Sequence, residues 1–138
     1  MHNPLSDIRQ FSPTMTMTQL QKFFEKKGLV VTRAMIQNYV RDGLLPPPVG
    51  KRFYTHKHIA ALVLVDRLKT VFDMPSIRAV LVPYMDNEGV PLEIYEDLMG
   101  KVEAVTGGWL AAQAGLLERD GALLLMACTA ELKAVSLG

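Results

Sequence analysis

Apolar side chains recur at helical spacing near the start of the chain. Leu20, Phe23 and Phe24 fall at i, i+3 and i+4, so they share one face of a helix that we predict over 17–27. Thr16 or Thr18 can cap its first turn, and Gly28 can end it. The pattern therefore predicts a short amphipathic helix with one face in a core.

A second helix is predicted between Thr32 and Gly43. Met35, Ile36 and Val40 can face a core, while Thr32 can cap the helix and Gly43 can end it. The opposite face is polar, and its side chains can reach base edges or phosphates: Arg33, Gln37, Asn38 and Arg41.

A proline-rich connection and a basic loop follow the second helix. Pro46 to Pro48 cannot continue a helix and favour an extended path, and Gly50 allows a tight reversal. Lys51 and Arg52 come directly after this reversal. We predict a short basic wing over 46–54.

The rest of the chain is predicted to be helical as well. Thr55 can cap a third helix that extends to about residue 72, and a fourth helix begins near Pro75 and ends at about 83. Another helix is predicted over 91–105. After a break at Gly107 and Gly108, an apolar helical segment covers 109–136.

The C-terminal helices carry more apolar surface than a small first domain can cover. We therefore expect a homodimer, with these candidate dimerisation residues: Tyr95, Leu98, Val102, Trp109, Leu116 and Leu123. Asp86 to Gly89 is the predicted boundary between two units. The expected organisation is an N-terminal arm over 1–15, a first helical domain over 16–85, and a helical dimerisation or effector region over 90–138.

Charge is distributed unevenly along the chain, although the formal net charge is only +1. The segment 22–57 contains eight Lys and Arg against two acidic residues, whereas 86–138 contains nine acidic residues against three basic ones. A basic half suits a polyanion, and an acidic half keeps that partner away from the remaining surface. Two ordinary solvated surfaces are the alternative interpretation.

Several classes of protein and site are not expected. Cys128 is the single cysteine and lies in an apolar run, which excludes an intrachain disulfide and a cysteine metal site. The first ten residues do not resemble a secretory signal, and the longest apolar run is about half of a ~20-residue membrane span. We expect a cytoplasmic bacterial protein without a membrane partner.

No catalytic constellation is evident either. Glu93, Glu96 and Asp97 have no nucleophile or phosphate-binding loop nearby and are interpreted as a solvated helix face. His56 and His58 are two residues apart, so they do not share a helical face, and we expect capping and solvent contact from them. No enzyme activity, cofactor or metal is expected.

The segment from residue 32 to 54 combines the groups that a DNA-binding surface needs. The polar helix supplies donors and acceptors for base edges, and the amides at its Thr32 end can bind a phosphate. Lys51 and Arg52 lie where a wing would contact the backbone of DNA. Tyr39 and Tyr54 could each donate a hydroxyl to a phosphate.

These residues resemble the MerR family of transcriptional regulators over roughly Thr16 to Leu81. Asn38 to Pro48 is similar to the end of the family's recognition helix, Arg52 to Thr55 is similar to its wing exit, and Ile59 to Leu68 to the helix that follows. The chain is most similar to an uncharacterised bacterial branch with a shortened wing.

The resemblance implies a winged helix-turn-helix that binds double-stranded DNA as a homodimer. It implies phosphate contacts from Tyr39 and Arg52, and places Arg33 and Gln37 near bases. The sequence departs from the family at Gln37 and Asn38, where an Arg and an aromatic residue are usual, in the shorter wing, and in the split C-terminal helices. The family's metal-sensing cysteines are absent, so a metal effector is not expected, whereas a small-molecule effector of unknown identity is left open as a partner.

The expected fold is mainly α, a winged helix-turn-helix with a short wing followed by a C-terminal helical dimerisation region. The expected function is that of a homodimeric, sequence-specific transcriptional regulator, which binds DNA through a recognition helix over 32–42 and a wing over 46–54. The alternative is a helical protein-interaction module on the same scaffold, with little intrinsic affinity for DNA. Its support is the acidic, apolar C-terminal half and the altered pair at Gln37 and Asn38.

Overall fold

The computed structural model describes residues 3–106, 123 and 126–130, except for the side chains of 104–106. This part of the chain is mainly helical, which confirms the predicted fold class at that level. Its elements in chain order are β1 (Thr14–Met15), α1 (Met17–Lys26), α2 (Arg33–Arg41), β2 (Tyr54–Thr55), α3 (His56–Leu68), α4 (Met74–Leu81) and α5 (Leu92–Thr106), with 3-10 turns at Ile8–Gln10 and Val82–Tyr84.

Helix α1 begins and ends as the sequence predicts. Thr16 accepts a hydrogen bond from the Gln19 amide, and the Gln19 side chain accepts one from the Thr16 amide, which together form a capping box. The predicted apolar face is buried, at Leu20, Phe23 and Phe24. Gly28 follows the helix with a φ of 78°, a conformation that glycine adopts without strain.

Helix α2 is capped by Thr32, whose hydroxyl accepts a hydrogen bond from the Met35 amide at 3.1 Å. Its buried residues are Ile36 and Tyr39, whereas Met35 and Val40 are only partly buried. The inward face of α2 is therefore rotated toward Tyr39 relative to the predicted one.

Helix α3 lies at the centre of the molecule. Nine of its 13 residues are buried, and they occupy every side of the helix, as expected for a helix that is surrounded by other elements. It ends at Leu68 rather than at 72, because the chain tightens into turns there: the Thr70 hydroxyl donates to the Arg67 carbonyl at 2.8 Å. Strand β2 and helix α5 pack directly against it.

Helix α5 packs against α3 and joins the same hydrophobic core. Tyr95, Leu98 and Val102 are at most 4% exposed, and Leu123 is 2% exposed. These four candidate dimerisation residues therefore lie in the interior of one chain, contrary to the expectation that they form an intermolecular surface. Trp109 and Leu116 fall outside the described residues, and the homodimer stays a prediction.

The N-terminal segment contacts both α5 and the end of α1. Its Leu5 and Ile8 are buried, and β1 pairs antiparallel with β2, so that Met15 lies opposite Tyr54. The Tyr95 hydroxyl donates to the Asn3 side chain at 2.6 Å. Two ion pairs add to this attachment, Lys27 to Asp7 at 2.7 Å and Arg9 to Glu96 at 2.6 Å.

The segment Asp86–Gly89, where the sequence predicts a boundary, is held against the start of α3. Asp86 accepts a hydrogen bond from the Lys57 ammonium at 2.7 Å, and this bond lowers the pKa of the Asp86 carboxyl. The Val90 amide donates to the Lys57 carbonyl at 3.1 Å. Gly89 has a φ of 134°, and a Cβ on it would lie 2.3 Å from that carbonyl oxygen, so only glycine fits this contact.

None of the helices in the described ranges is long and apolar enough to cross a membrane.

Replacing Gly89 by alanine is expected to lower the free energy of unfolding by about 3 kcal/mol or more, because both the backbone angle and the approach to α3 must change. Gly100 is the matched control, since it is a helical glycine with open space around it. Gly100→Ala should raise the free energy of unfolding by about 0.5–1 kcal/mol. Urea denaturation of both variants measures the difference, and equal effects would contradict the close packing of Gly89.

Candidate nucleic-acid interface

The predicted wing is a tight hairpin over Val49–Phe53. The Val49 amide donates to the Phe53 carbonyl at 2.7 Å, and the Phe53 amide donates back to the Val49 carbonyl at 3.0 Å. Gly50 and Lys51 form the reversal, with φ values of 60° and 63°. The hairpin leads directly into β2 and α3, which fixes the position of its C-terminal end but not that of its tip.

Lys51 holds an unfavourable backbone angle at the tip of this hairpin. Among the described residues it is the one non-glycine with a positive φ, a conformation that costs an L-residue about 1–2 kcal/mol. Such strain persists where a side chain is useful at that position. The Lys51 side chain is exposed, so its use lies at the surface rather than in the core.

An open pocket of about 400 Å³ lies between the hairpin and the starts of α1 and α2. The first residues of α1, the first residue of α2 and the hairpin all contribute, and the lining residues are Thr16, Met17, Thr18, Arg33, Lys51, Arg52 and Tyr54. None of the described residues that line this pocket is acidic. We call it the basic pocket.

The three cations of the basic pocket are available to a ligand. Arg33, Lys51 and Arg52 are exposed and form no ion pair within the part of the chain that the structure describes. The Arg52 guanidinium lies 5.4 Å from the centre of the Phe53 ring, which supports it from one side. Three unpaired cations in one concave site favour an anion, and phosphate above all.

Tyr54 closes the floor of the basic pocket. Its side chain is 5% exposed. Burial raises the pKa of the Tyr54 hydroxyl, and the positive charge of Arg33 acts in the opposite direction. The phenol is therefore neutral at physiological pH and adds no negative charge to the site.

The exposed face of α2 continues away from the basic pocket. Arg33, Gln37, Asn38 and Arg41 are all exposed, as predicted. The Arg41 guanidinium donates to the Asp42 carboxylate at 3.3 Å. Arg78 of α4, which sequence reasoning did not single out, donates to the Asp42 carbonyl at 3.0 Å and covers the end of α2.

Two predicted phosphate ligands lie in the interior instead. Tyr39 is 8% exposed and belongs to the hydrophobic core, as does Tyr54. Their rings face inward because they supply the apolar area by which α2 and β2 pack. Thr32 stays at the surface, where its hydroxyl oxygen accepts from the Met35 amide and its O–H can still donate to a phosphate.

The basic pocket also contains residues that the sequence did not indicate. Thr16, Met17 and Thr18 come from the start of α1, and reach the hairpin because β1 pairs with β2. The capping threonine at 16 was the available local signal, but its proximity to Lys51 is a property of the tertiary fold.

His58 differs most from its expected role. It caps α3 as predicted, by accepting the Thr55 amide at Nδ1, but it is fully buried rather than in contact with solvent. Its Nε2 is 3.0 Å from the Pro47 carbonyl. Burial is the main cause that lowers the pKa of the His58 imidazole below its usual 6.5, against smaller opposing effects of the Pro47 carbonyl and Glu88.

The strain at Lys51 predicts different effects of two neutral substitutions. Lys51→Gly relieves the backbone strain and should raise the free energy of unfolding by up to about 1 kcal/mol. Lys51→Ala removes the same charge without relieving the strain, so the free energy of unfolding should stay nearly unchanged. Urea denaturation compares the two, and identical stabilities would show that the angle is unstrained.

The buried imidazole predicts a pH dependence of stability. Because the folded-state pKa of His58 is lowered, its contribution is complete above about pH 6.5 and declines as the pH falls toward the folded-state pKa. The stability advantage of the wild type over His58→Gln should thus shrink as the pH falls from 7.5 to 5. His56→Gln is the control, since His56 is not buried. A constant difference across this range, measured by urea denaturation, would contradict the burial of a neutral His58.

Comparison with known proteins gives one family match. Residues 11–98 match the model of a family described as a domain of unknown function, DUF1836. No curated protein and no solved structure matches the chain. The matched residues include α1, α2, the hairpin, α3, α4 and the first half of α5, and so every residue of the basic pocket. The chain belongs to the DUF1836 family.

Proposed function

We propose that this protein is a sequence-specific, double-stranded DNA-binding transcriptional regulator that acts as a homodimer. The basic pocket carries the proposal: three cations from two separate elements line one concave site, and no described residue that lines it is acidic. Sites of this kind fit the phosphates of a nucleic acid backbone.

The position of the pocket relative to α2 supports double-stranded DNA. Arg33 belongs both to the basic pocket and to the exposed face of α2, so the helix begins where the phosphate site lies. Positions 33, 37 and 41 recur every four residues and share a face. An α-helix such as α2 fits the major groove, which is ~12 Å wide. With α2 in the groove, the hairpin reaches the flanking backbone, which is the arrangement of a winged helix-turn-helix.

The residues divide into two roles under this proposal. Arg33, Lys51 and Arg52 hold phosphates, and the first-turn amides of α1 at Met17 and Thr18 add neutral donors at a helix N-terminus. Base edges are left to the longer polar side chains further along α2, which are Gln37, Asn38 and Arg41.

The acidic residues of α5 restrict DNA to the face that carries the basic pocket and the polar side of α2. Glu93, Glu96 and Asp97 lie exposed on α5, and Arg9 pairs with Glu96. A phosphate backbone is repelled from such a surface. A protein-interaction module on the same scaffold is the second candidate, since this exposed face of α5 carries three carboxylates against the two cations that pair with them, Arg9 and Lys101.

The salt dependence of binding tests the phosphate role. Each phosphate contact contributes about −0.9 to the slope of log K against log salt. The variant Lys51→Gln/Arg52→Gln should therefore bind all DNA sequences more weakly, with a slope that is less steep by about two per bound protomer. Fluorescence anisotropy at several salt concentrations measures both quantities, with fragments selected from genomic DNA.

The control removes the same charge elsewhere. Lys22 and Lys26 are exposed on α1 and do not line the basic pocket, so Lys22→Gln/Lys26→Gln should change the slope much less. If a folded wild-type protein binds no fragment at low salt, the proposal fails. If both double variants act alike, the basic pocket is not the phosphate site.

A further inference from the structure

Tyrosines aside, His58 is the one buried polar side chain among the described residues, and both of its ring nitrogens are bonded. Nδ1 accepts a hydrogen bond from the Thr55 amide at 3.0 Å. An accepting Nδ1 leaves the proton on Nε2, and Nε2 donates it to the Pro47 carbonyl at 3.0 Å. The ring is thus a neutral imidazole with one defined tautomer.

The two partners of His58 lie on either side of the hairpin. Pro47 precedes Val49 by two residues, and Thr55 follows Phe53 by two residues. Within the hairpin, the Val49 and Phe53 pair supplies the cross-strand hydrogen bonds. So short a hairpin is unstable by itself in water, and His58 joins its two ends to each other and to α3.

The position of His58 is itself fixed from two directions. The Tyr54 ring meets the imidazole edge-on at 5.3 Å. On the other side, the backbone of Gly89 lies so close that a Cβ there would be 2.9 Å from the His58 amide nitrogen. The charged groups around the ring are Lys57 on its own helix and Asp86 and Glu88 in the connection before α5, and Lys57 is already paired with Asp86. The ring therefore cannot move away from the hairpin without opening the core.

A histidine suits this position better than the usual capping residues. Helix α1 solves the same capping problem with Gln19, whose side chain accepts the Thr16 amide. A glutamine amide places its oxygen and nitrogen side by side, whereas an imidazole presents its acceptor and its donor on opposite edges. Only the imidazole can accept from Thr55 and donate to Pro47 in opposite directions at once.

We propose that His58 is the positioning residue of the basic hairpin. By holding Pro47 and Thr55 it fixes the placement of Lys51 and Arg52 relative to Arg33, and so assembles the basic pocket from the side of the core. The consequence for DNA rests on the proposed function, whereas the effect on the hairpin does not.

The first test uses the free protein. His58→Gln retains at most one of the two hydrogen bonds, so the amides of Val49 and Phe53 should exchange with solvent about tenfold faster, the equivalent of one lost hydrogen bond. Amides in the middle of α3 should accelerate by no more than the global loss of stability, which urea denaturation of the variant measures. His56→Gln is the matched control, because His56 contacts the Ser12 carbonyl instead of the hairpin, and it should leave the exchange of both hairpin amides unchanged.

The second test is a double-mutant cycle on DNA binding. In the wild-type background, His58→Gln should weaken binding about tenfold and make the salt slope less steep. In the Lys51→Gln/Arg52→Gln background it should add little, because the charges that it positions are gone. A merely structural role would weaken binding equally in both backgrounds.

Each outcome decides the inference. Unchanged exchange at Val49 and Phe53, or equal effects in both arms of the cycle, overturns it. If His58→Gln does not fold, the nitrogen NMR spectrum of the wild type decides, since a proton on Nδ1 rather than Nε2 contradicts the contact with Pro47. If the wild type binds no DNA, the proposed function fails, and hydrogen exchange in the free protein still tests the role of His58.

Discussion

The burial of α3 on every side is the constraint on which the rest of the structure depends. A helix with apolar residues around its whole circumference has no stable solvent-exposed face, so other elements must cover it. Helix α5 and the segment before it cover one part, and that contact is so close that Gly89 has no room for a side chain. Because α3 follows the hairpin directly, whatever fixes the start of α3 also fixes the end of the hairpin.

The basic pocket is a consequence of this arrangement. Its cations come from α2 and the hairpin, and its floor comes from Tyr54 at the entry to α3. Pairing of β1 with β2 brings the start of α1 to the same place. No single element contains the proposed phosphate site by itself, and the pocket arises where three element ends meet around a common core.

Local features of the fold could be predicted from the sequence because short-range physics decides them. The caps at Thr16, Thr32 and Thr55 and the glycine after α2 lie at their expected positions. Capping depends on hydrogen bonds over three or four residues. The hairpin and its two cations were predictable for the same reason, since prolines and Gly50 restrict the backbone locally.

Burial could be predicted less well, because an apolar pattern does not specify what covers it. Tyr95, Leu98 and Val102 were expected in a dimer interface, yet they pack within one chain, where α3 supplies the partner surface. Tyr39 and His58 were expected at the surface and lie in the interior. Amphipathic side chains such as these satisfy either environment, provided that the polar atoms of a buried one find partners.

The sequence by itself determined the order of the helices, the polar face of α2, and the basic hairpin. These follow from spacing and from backbone preferences of neighbouring residues. Only the tertiary structure decided that α1, α2 and the hairpin share one pocket, and that one buried imidazole joins Pro47 to Thr55. Those contacts join residues that the pattern of the chain does not pair, and they form because α3 needs to be enclosed.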